Sequence, residues 1–368
     1  MNNPPFLRLT FAAVLAFTAA ALLYADSSKT TARSVSQLAE GIYVIRHPDA
    51  PDGFPQGNTT VVIGDESVLV VDSCYLPSSA REDIAQIRQW TTKPVRYLVN
   101  THWHYDHQLG NGEYAAAFPG LDLIAHTETR NQIRGYNPGW FERYPKLGTR
   151  YQQILEAGKL SNGTPLTDGL REQIKQIMAN RGPVVEEFKS SPGRVPNVTF
   201  EHEFVADLGH REVRVLHLGR GNTAGDAVVF VPTEHILATG DLFDSPVPYI
   251  GSGYPFDQVV TLEKLLQLDA AAFIPGHGDV LRGDAGRAHI ALLRDFLQDV
   301  TTQVSAIVHR MGNNPADYDK VRAEVEKAVN FDAWRQKFAG DDKVDRDFFD
   351  SFPHPGVVQA AFAQTWVR

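Results

Sequence analysis

Three imidazoles and a carboxylate lie within the six residues His102-Trp103-His104-Tyr105-Asp106-His107. Imidazole is a good ligand for zinc and neighbouring transition metals, and a carboxylate completes a hydrolytic ligand set. Just upstream, Val95-Arg96-Tyr97-Leu98-Val99-Asn100 reads as an apolar, β-branched strand. Continued as a strand, it points His102 and His104 to the same side. Asp106 and His107 come after the strand has run out and reach a second, adjacent point, as two metals a few ångströms apart require. A histidine-rich surface turn is the plainer alternative, but packing has no need of such a cluster.

Two later segments extend the set. Thr239-Gly240-Asp241 follows a strand at Ile236-Leu237-Ala238, and Pro275-Gly276-His277-Gly278 follows another at Ala271-Ala272-Phe273-Ile274. An Asp or a His at one strand end is more often structural. Both together, downstream, in this order and beside loop-forming glycines, favour ligation by Asp241 and His277.

With these pieces the chain resembles the metallo-β-lactamase superfamily. They are Asp72 after the strand Leu69-Val70-Val71, the HxHxDH run at 102–107, the loop Gly219-Arg220-Gly221-Asn222-Thr223-Ala224-Gly225-Asp226, Thr239-Gly240-Asp241 and Pro275-Gly276-His277-Gly278. They keep the family's order and span roughly residues 40–300. The resemblance implies an α/β fold, a four-layer αββα sandwich with the metals at one edge of two sheets. It also implies one or two zinc ions. By the family's pattern His102, His104 and the residue at 222 form one site, and Asp106, His107 and His277 form the other, with Asp241 bridging. One departure matters: the family's usual histidine is here Asn222. An amide oxygen binds zinc more weakly than imidazole, so the expectation is one tightly held metal, or two of unequal affinity. His217 is a conceivable substitute, but it shares a strand face with Val213 and Val215. The glycines of this loop do not make a phosphate cradle, since the Lys-Ser/Thr ending and the full GxGxxG spacing are missing.

The resemblance implies a zinc-dependent hydrolase in which metal-bound hydroxide attacks a carbonyl of an amide, lactone or (thio)ester, as in a β-lactamase. A phosphoryl or sulfuryl centre is the less favoured target. Asp106 orients the nucleophile and carries its proton. Asp72 and Asp226 fix ligand orientation, and Tyr105 or Tyr249 is a candidate donor to the oxyanion. Because Asn222 departs from the usual lactamase ligands, weak or absent lactam hydrolysis is expected. Two other readings stand beside this one. An iron-dependent thiol or persulfide oxidoreductase of the same fold would need the histidine that Asn222 replaces. A non-catalytic metal-binding protein would have to be built on a decayed site.

Composition sets outer bounds. The chain has 368 residues, 43% hydrophobic and 21% charged, with a formal net charge of −9. That is ordinary for a globular protein, and the acidic balance disfavours nucleic acid as a partner; a small-molecule substrate is expected. Arg8 is the only charged side chain before Asp26, and residues 9–25 are mostly apolar and small. This reads as a signal peptide over residues 1–25 and a secreted or periplasmic enzyme. Leu23 occupies a position that usually holds a small residue before the cut, so membrane anchoring by an uncleaved segment is the alternative. Cys74 is the only cysteine, which excludes an intramolecular disulfide. It reads as a small, half-buried residue at a strand mouth. His47, His126, His202, His210, His235, His289, His309 and His354 are isolated in sequence and are assigned no chemistry.

The remaining pattern organises the chain. Residues 36–310 read as the metallo-β-lactamase-like domain, with a helical insertion at 128–196 and a helical C-terminal extension at 311–368. Within the domain, strands are expected at 42–45, 59–63, 68–71, 121–125, 198–200, 213–218, 227–231 and 236–238, and helices at 78–90, 110–117 and 258–268. Within the insertion, helices are expected near 150–158 and 168–180, and Tyr136, Trp140, Phe141, Tyr144 and Tyr151 either line a substrate pocket or pack a small core of their own. Residues 246–254, just after Asp241, are another rim candidate.

Overall fold

A computed structural model describes residues 32–159, 166, 168–191, 193–251, 253–312 and 314–366. The segment 1–25, expected to be a signal peptide, lies outside the described residues. Among those residues no helix is long and apolar enough to cross a membrane. The chain divides into two compact units: residues up to 201 with 205–212, and residues 202–204 with 213 onward.

The N-terminal unit is built on a seven-stranded sheet whose order follows the sequence. Its strands are β1 (Ser34–Ala39), β2 (Ile42–Arg46), β3 (Thr59–Ile63), β4 (Val68–Val71), β5 (Val95–Val99), β6 (Asp122–His126) and β7 (Val198–Phe200). Strands β1 to β4 pair antiparallel, with short turns at β1–β2 and β3–β4 and a longer loop, residues 47–58, between β2 and β3; β4 to β7 pair parallel. Parallel neighbours need crossovers, and helices supply each one. They are α1 (Pro77–Trp90) before β5, then α2 (Tyr105–Gln108) and α3 (Asn111–Ala117) before β6, and finally α4 (Thr127–Arg143), α5 (Leu147–Ala157) and α6 (Asp168–Ser190) before β7. Pro77 opens α1, where a missing N–H costs nothing. Ala80, Ile84 and Ile87 then recur at helical spacing and pack on Val61, Val70, Val95 and Leu98 of the sheet. Each such buried branched side chain contributes roughly 1.5–3 kcal/mol. This core fixes the carboxyl ends of β4 and β5, which carry Asp72 and the 100–108 loop.

The C-terminal unit holds most of a second sheet, in the order β13-β12-β11-β10-β9-β8. Its strands are β8 (Glu203–Asp207), which straddles the division, β9 (Glu212–Leu216), β10 (Val228–Val231), β11 (Ile236–Gly240), β12 (Ala272–Pro275) and β13 (Leu281–Arg282). Strands β9, β10 and β11 are antiparallel, while β11 and β12 run parallel across α7 (Pro255–Leu266). The long α8 (Gly283–Met311) is the hub for α7, α9 (Tyr318–Ala328) and α12 (Pro353–Gln364), with α10 (Phe331–Ala339) and α11 (Lys343–Ser351) completing the helical C-terminal end.

Three sequence expectations change. Strand β5 ends at Val99, so His102 and His104 sit on an irregular loop and not on a strand. Asp72 has already taken the Thr101 amide, at 2.8 Å, which turns the chain out of the sheet. Strand β8 was not expected, because its short polar run Glu203-Phe204-Val205-Ala206-Asp207 buries only Ala206. Helix α4 was not expected either; it continues through Pro138, a residue that ordinarily ends a helix. Burial of Ile133, Asn137 and Trp140 outweighs that local cost.

Candidate metal centre

His102, His104, Asp106 and His107 all belong to the N-terminal unit, and the loop after β5 brings them together. Their exposures are 1%, 2%, 4% and 0%. The His102 ring lies 4.5 Å from that of His104 and 4.3 Å from that of His107, centroid to centroid. Asp106 Oδ2 is 3.6 Å from His107 Nε2. His104 is the extended residue that opens α2, so Asp106 and His107 ride on its single helical turn.

Asp72 organises this loop from the end of β4. Its Oδ1 accepts the Thr101 amide at 2.8 Å, and its Oδ2 accepts the Thr101 hydroxyl at 2.8 Å and His107 Nδ1 at 2.9 Å. A carboxylate only accepts, so Nδ1 of His107 carries the proton and Nε2 is left as a lone pair. The Thr101 hydroxyl proton is spent on Asp72, so its oxygen accepts from His102 Nδ1, 3.0 Å away. His102 Nε2 is then a lone pair as well. Asp72 adopts a left-handed backbone, φ 60°, which costs a non-glycine residue about 1–2 kcal/mol and places both oxygens where the loop needs them. Gly57 closes the other side: its N–H donates to the Asp106 carbonyl at 3.1 Å, and a Cβ there would lie 2.4 Å from His107 Cε1.

Asn222, Asp241 and His277 belong to the C-terminal unit, on the loops after β9, β11 and β12. Asn222 Nδ2 is 3.5 Å and His277 Nε2 is 3.7 Å from opposite oxygens of Asp241. All three are buried. Close backbone approach sets this group. A Cβ on Gly276 would meet Asp241 Oδ1 at 1.9 Å, and one on Gly253 would meet the Asn222 carbonyl at 2.7 Å. Asp244 receives the His277 amide at 3.1 Å and the Tyr249 amide at 3.2 Å. Asp226 accepts the Thr223 amide at 2.9 Å and its hydroxyl at 2.6 Å, and so shapes the Asn222 loop. Burial outweighs these bonds and pushes the Asp226 carboxyl up to about 7.

The other candidates resolve individually. His217 Nδ1 lies 2.8 Å from the Asp226 carbonyl, a loop contact. Tyr105 stacks on Trp140 at 4.2 Å, and burial pushes its phenol up to about 12 against the pull of Arg143. Of the two readings of the insertion, the structure shows the core. Tyr151, Ile174 and Ile177 pack a small core of their own. Tyr136, in contrast, packs on Trp103 of the ligand loop at 4.5 Å, both rings half-buried. His126 caps α4, and burial lowers the His289 imidazole. Cys74 and His47 are not as expected: Cys74 is fully buried, and His47 Nε2 is 3.1 Å from its sulfur. Their separation of 27 positions hides this from any local motif.

The sequence profile described as the Metallo-beta-lactamase superfamily matches residues 52–277. The chain belongs to this superfamily. A linear primary-alkylsulfatase of Pseudomonas sp. (strain ATCC 19151) is 24% identical over 226 residues, which is 59% of this chain and 40% of the relative. The chain therefore spans well under two thirds of that relative's length. Among solved structures, the stereoselective inverting sec-alkylsulfatase Pisa1 from Pseudomonas sp. aligns with a TM-score of 0.59 at 14% identity, covering 90% of this chain and 50% of that one. A metallo-beta-lactamase from Pontibacter korlensis aligns with a TM-score of 0.49 at 18% identity, covering 73% of this chain and 99% of that one. The alignment with Pisa1 shows the fold, the α/β architecture with two sheets that the motifs implied, here with a helical insertion and a helical C-terminal extension.

The residues fit the superfamily's metal. Two buried imidazoles are locked with Nε2 free of its proton, and the Asp106 carboxylate stands beside the imidazole of His107; imidazole nitrogen with carboxylate oxygen is a zinc donor set.

Proposed function

We propose that this protein is a metal-dependent hydrolase of a small molecule, with zinc held by His102, His104, Asp106, His107, Asp241 and His277, and with Asn222 as a weak ligand or none. The observation that carries the reading is the Asp72–Thr101 relay, which fixes the protons of His102 and His107 on Nδ1. Histidines that served only packing would not need a strained aspartate to hold their tautomers. When bound, zinc would acidify water towards neutral pH and polarise the substrate oxygen. The chain's own groups do the rest. Asp106 is buried beside His107 and orients the attacking water, takes its proton and passes it to the leaving group. Asp72 keeps the imidazoles aligned through the cycle. The half-buried Trp103–Tyr136 pair offers an apolar shelf to the substrate's non-reacting part.

A carbonyl substrate, as an ester, thioester, lactone or amide, is the preferred class. A sulfate ester is a second reading, and the match to a linear primary-alkylsulfatase favours it. The purified full chain should be assayed with an aryl ester, a lactone, a thioester, dodecyl sulfate and a chromogenic cephalosporin, before and after chelation. Turnover of an ester, thioester or lactone that chelation abolishes and zinc restores is expected, with little cephalosporin hydrolysis. Turnover of dodecyl sulfate alone would replace the carbonyl reading. Absence of any metal-dependent turnover would leave a binding protein. A secreted or periplasmic location, with membrane anchoring as the alternative, is proposed from the apolar sequence of residues 9–25; fractionation of cells expressing the full chain tests it.

A further inference from the structure

The N-terminal unit contains a second convergence of ligand atoms, which shares no residue with the proposed catalytic set. His47 follows β2, Thr59 opens β3, Cys74 lies in the turn after β4, and Asp83 is in α1. His47 Nε2 is 3.1 Å from Cys74 Sγ, 3.2 Å from Asp83 Oδ2 and 3.3 Å from Thr59 Oγ1. Cys74 Sγ is itself 3.3 Å from Thr59 Oγ1 and 3.5 Å from Asp83 Oδ2. All four residues are buried, Cys74, Thr59 and Asp83 completely.

Hydrogen bonding alone accounts poorly for this arrangement. A neutral imidazole, a thiol and a hydroxyl bring one proton each, three for five mutual contacts. One cation at the centre would satisfy all four atoms without any proton. A tetrahedral ion with bonds of about 2.0–2.3 Å sets its ligand atoms roughly 3.3–3.6 Å apart, close to the spacing found. The surroundings also suit a ligating carboxylate, for Asp83 turns its other oxygen to the Arg33 guanidinium at 2.9 Å. Thiolate plus carboxylate would neutralise a divalent ion, and sulfur with imidazole selects zinc over magnesium or calcium.

We propose that His47, Cys74 and Asp83, with the Thr59 hydroxyl in the fourth position, form a structural zinc site. The ion ties β2, β3, the β4 turn and α1 together, immediately beyond Asp72. Without it, burial and the nearby Asp83 push the Cys74 thiol well above its ordinary value. Binding displaces the thiol proton to solvent as the sulfur–metal bond forms.

The sole cysteine makes the test specific. The full chain is stripped of metal, loaded with Co2+ and scanned for a sulfur-to-cobalt charge-transfer band, which in this chain only Cys74 can produce. The band is expected in the parent, is expected to survive in His102→Ala/His104→Ala, and is expected to disappear when zinc is added. His47→Gln and Asp83→Asn keep the thiol and are each expected to lose the band, with loss of about one equivalent of bound cobalt. A parent that takes up cobalt without the band would overturn the proposal. So would a band that persists undiminished in folded His47→Gln and Asp83→Asn. The parent measurement needs no variant to fold.

Discussion

Asp72 and Asp226 are buried alike, each at 2% exposure, and each gathers the backbone of a loop that carries candidate ligands. Their partners differ. Asp72 reaches an imidazole directly and a second one through Thr101, so its charge sets the protons of two candidate ligands. Asp226 reaches the amide and hydroxyl of Thr223 and the Gly221 backbone, and burial holds its carboxyl near pH 7. The same side chain thus performs two tasks. One tunes ligand chemistry, and the other holds a loop at a standing electrostatic cost. The two should therefore fail differently.

The largest effect is expected inside the loop that Asp72 orders. Asp106→Ala should lower kcat by about 10²–10⁴, the usual size of a general acid–base contribution. Thermal stability should change little, and because Asp106 is also one of the six proposed ligands the assay is run at saturating zinc, where metal should still bind. Activity fully restored by added zinc would instead make Asp106 a ligand and nothing more. Retained activity would end the assignment of a proton-carrying role.

Asp226 should reveal itself through pH. Its folded pKa of about 7 lies above the ordinary 3.8. Between those values the folded state holds a proton that the unfolded state has lost, so stability is greatest in acid and falls as pH rises across the window. In Asp226→Asn that slope should vanish, and the chelated variant should be more stable than the chelated parent at pH 8, by about 2–4 kcal/mol. Urea titrations at pH 5 and pH 8 would measure it; equal slopes in parent and variant would show that the group titrates normally.

Asp72→Ala is the counterpart. Removing a carboxylate that orients a ligating histidine typically costs 10–100-fold in metal affinity, and that range is expected here in competition with a chromogenic chelator. Thr101→Val, which breaks only the arm to His102, should lose less. Equal losses would show that the arm to His107 contributes nothing.

How much of this was open to sequence reading follows from distance along the chain. The 102–107 cluster was legible as a group because covalent spacing already holds its candidate ligands together, and the strand-end placement of Asp241 and His277 because each follows a clear strand. The relay from Asp72 to His102 was not, since it depends on where β5 stops and on the hydroxyl of Thr101. The convergence of His47 with Cys74 and Asp83 was hidden altogether. The antiparallel pairing of β2, β3 and β4 and the packing of α1 create it, and three residue types scattered over 37 positions leave no pattern to read. Helix α4 was hidden for the opposite reason: Pro138 is a local signal that tertiary burial overrules.

The subtlest comparison lies at position 222. Asn222 Nδ2 lies within reach of Asp241 Oδ2, so the residue can support a neighbouring ligand without being one. An imidazole in its place offers the nitrogen that the superfamily usually uses. Asn222→His should therefore tighten the weaker metal by about tenfold or more, since even a partner that only orients a ligand is worth roughly 10–100-fold, and should leave the tighter metal unchanged. Elemental analysis after dialysis against a weak chelator would show one zinc at the proposed catalytic centre of the parent and two in the variant. Two zincs there in both would mean that Asn222 or another group already completes the set. Cys74→Ser in both backgrounds would keep this count separate from any ion at His47 and Asp83. Iron instead of zinc in the parent would restore the oxidoreductase reading despite the asparagine at 222.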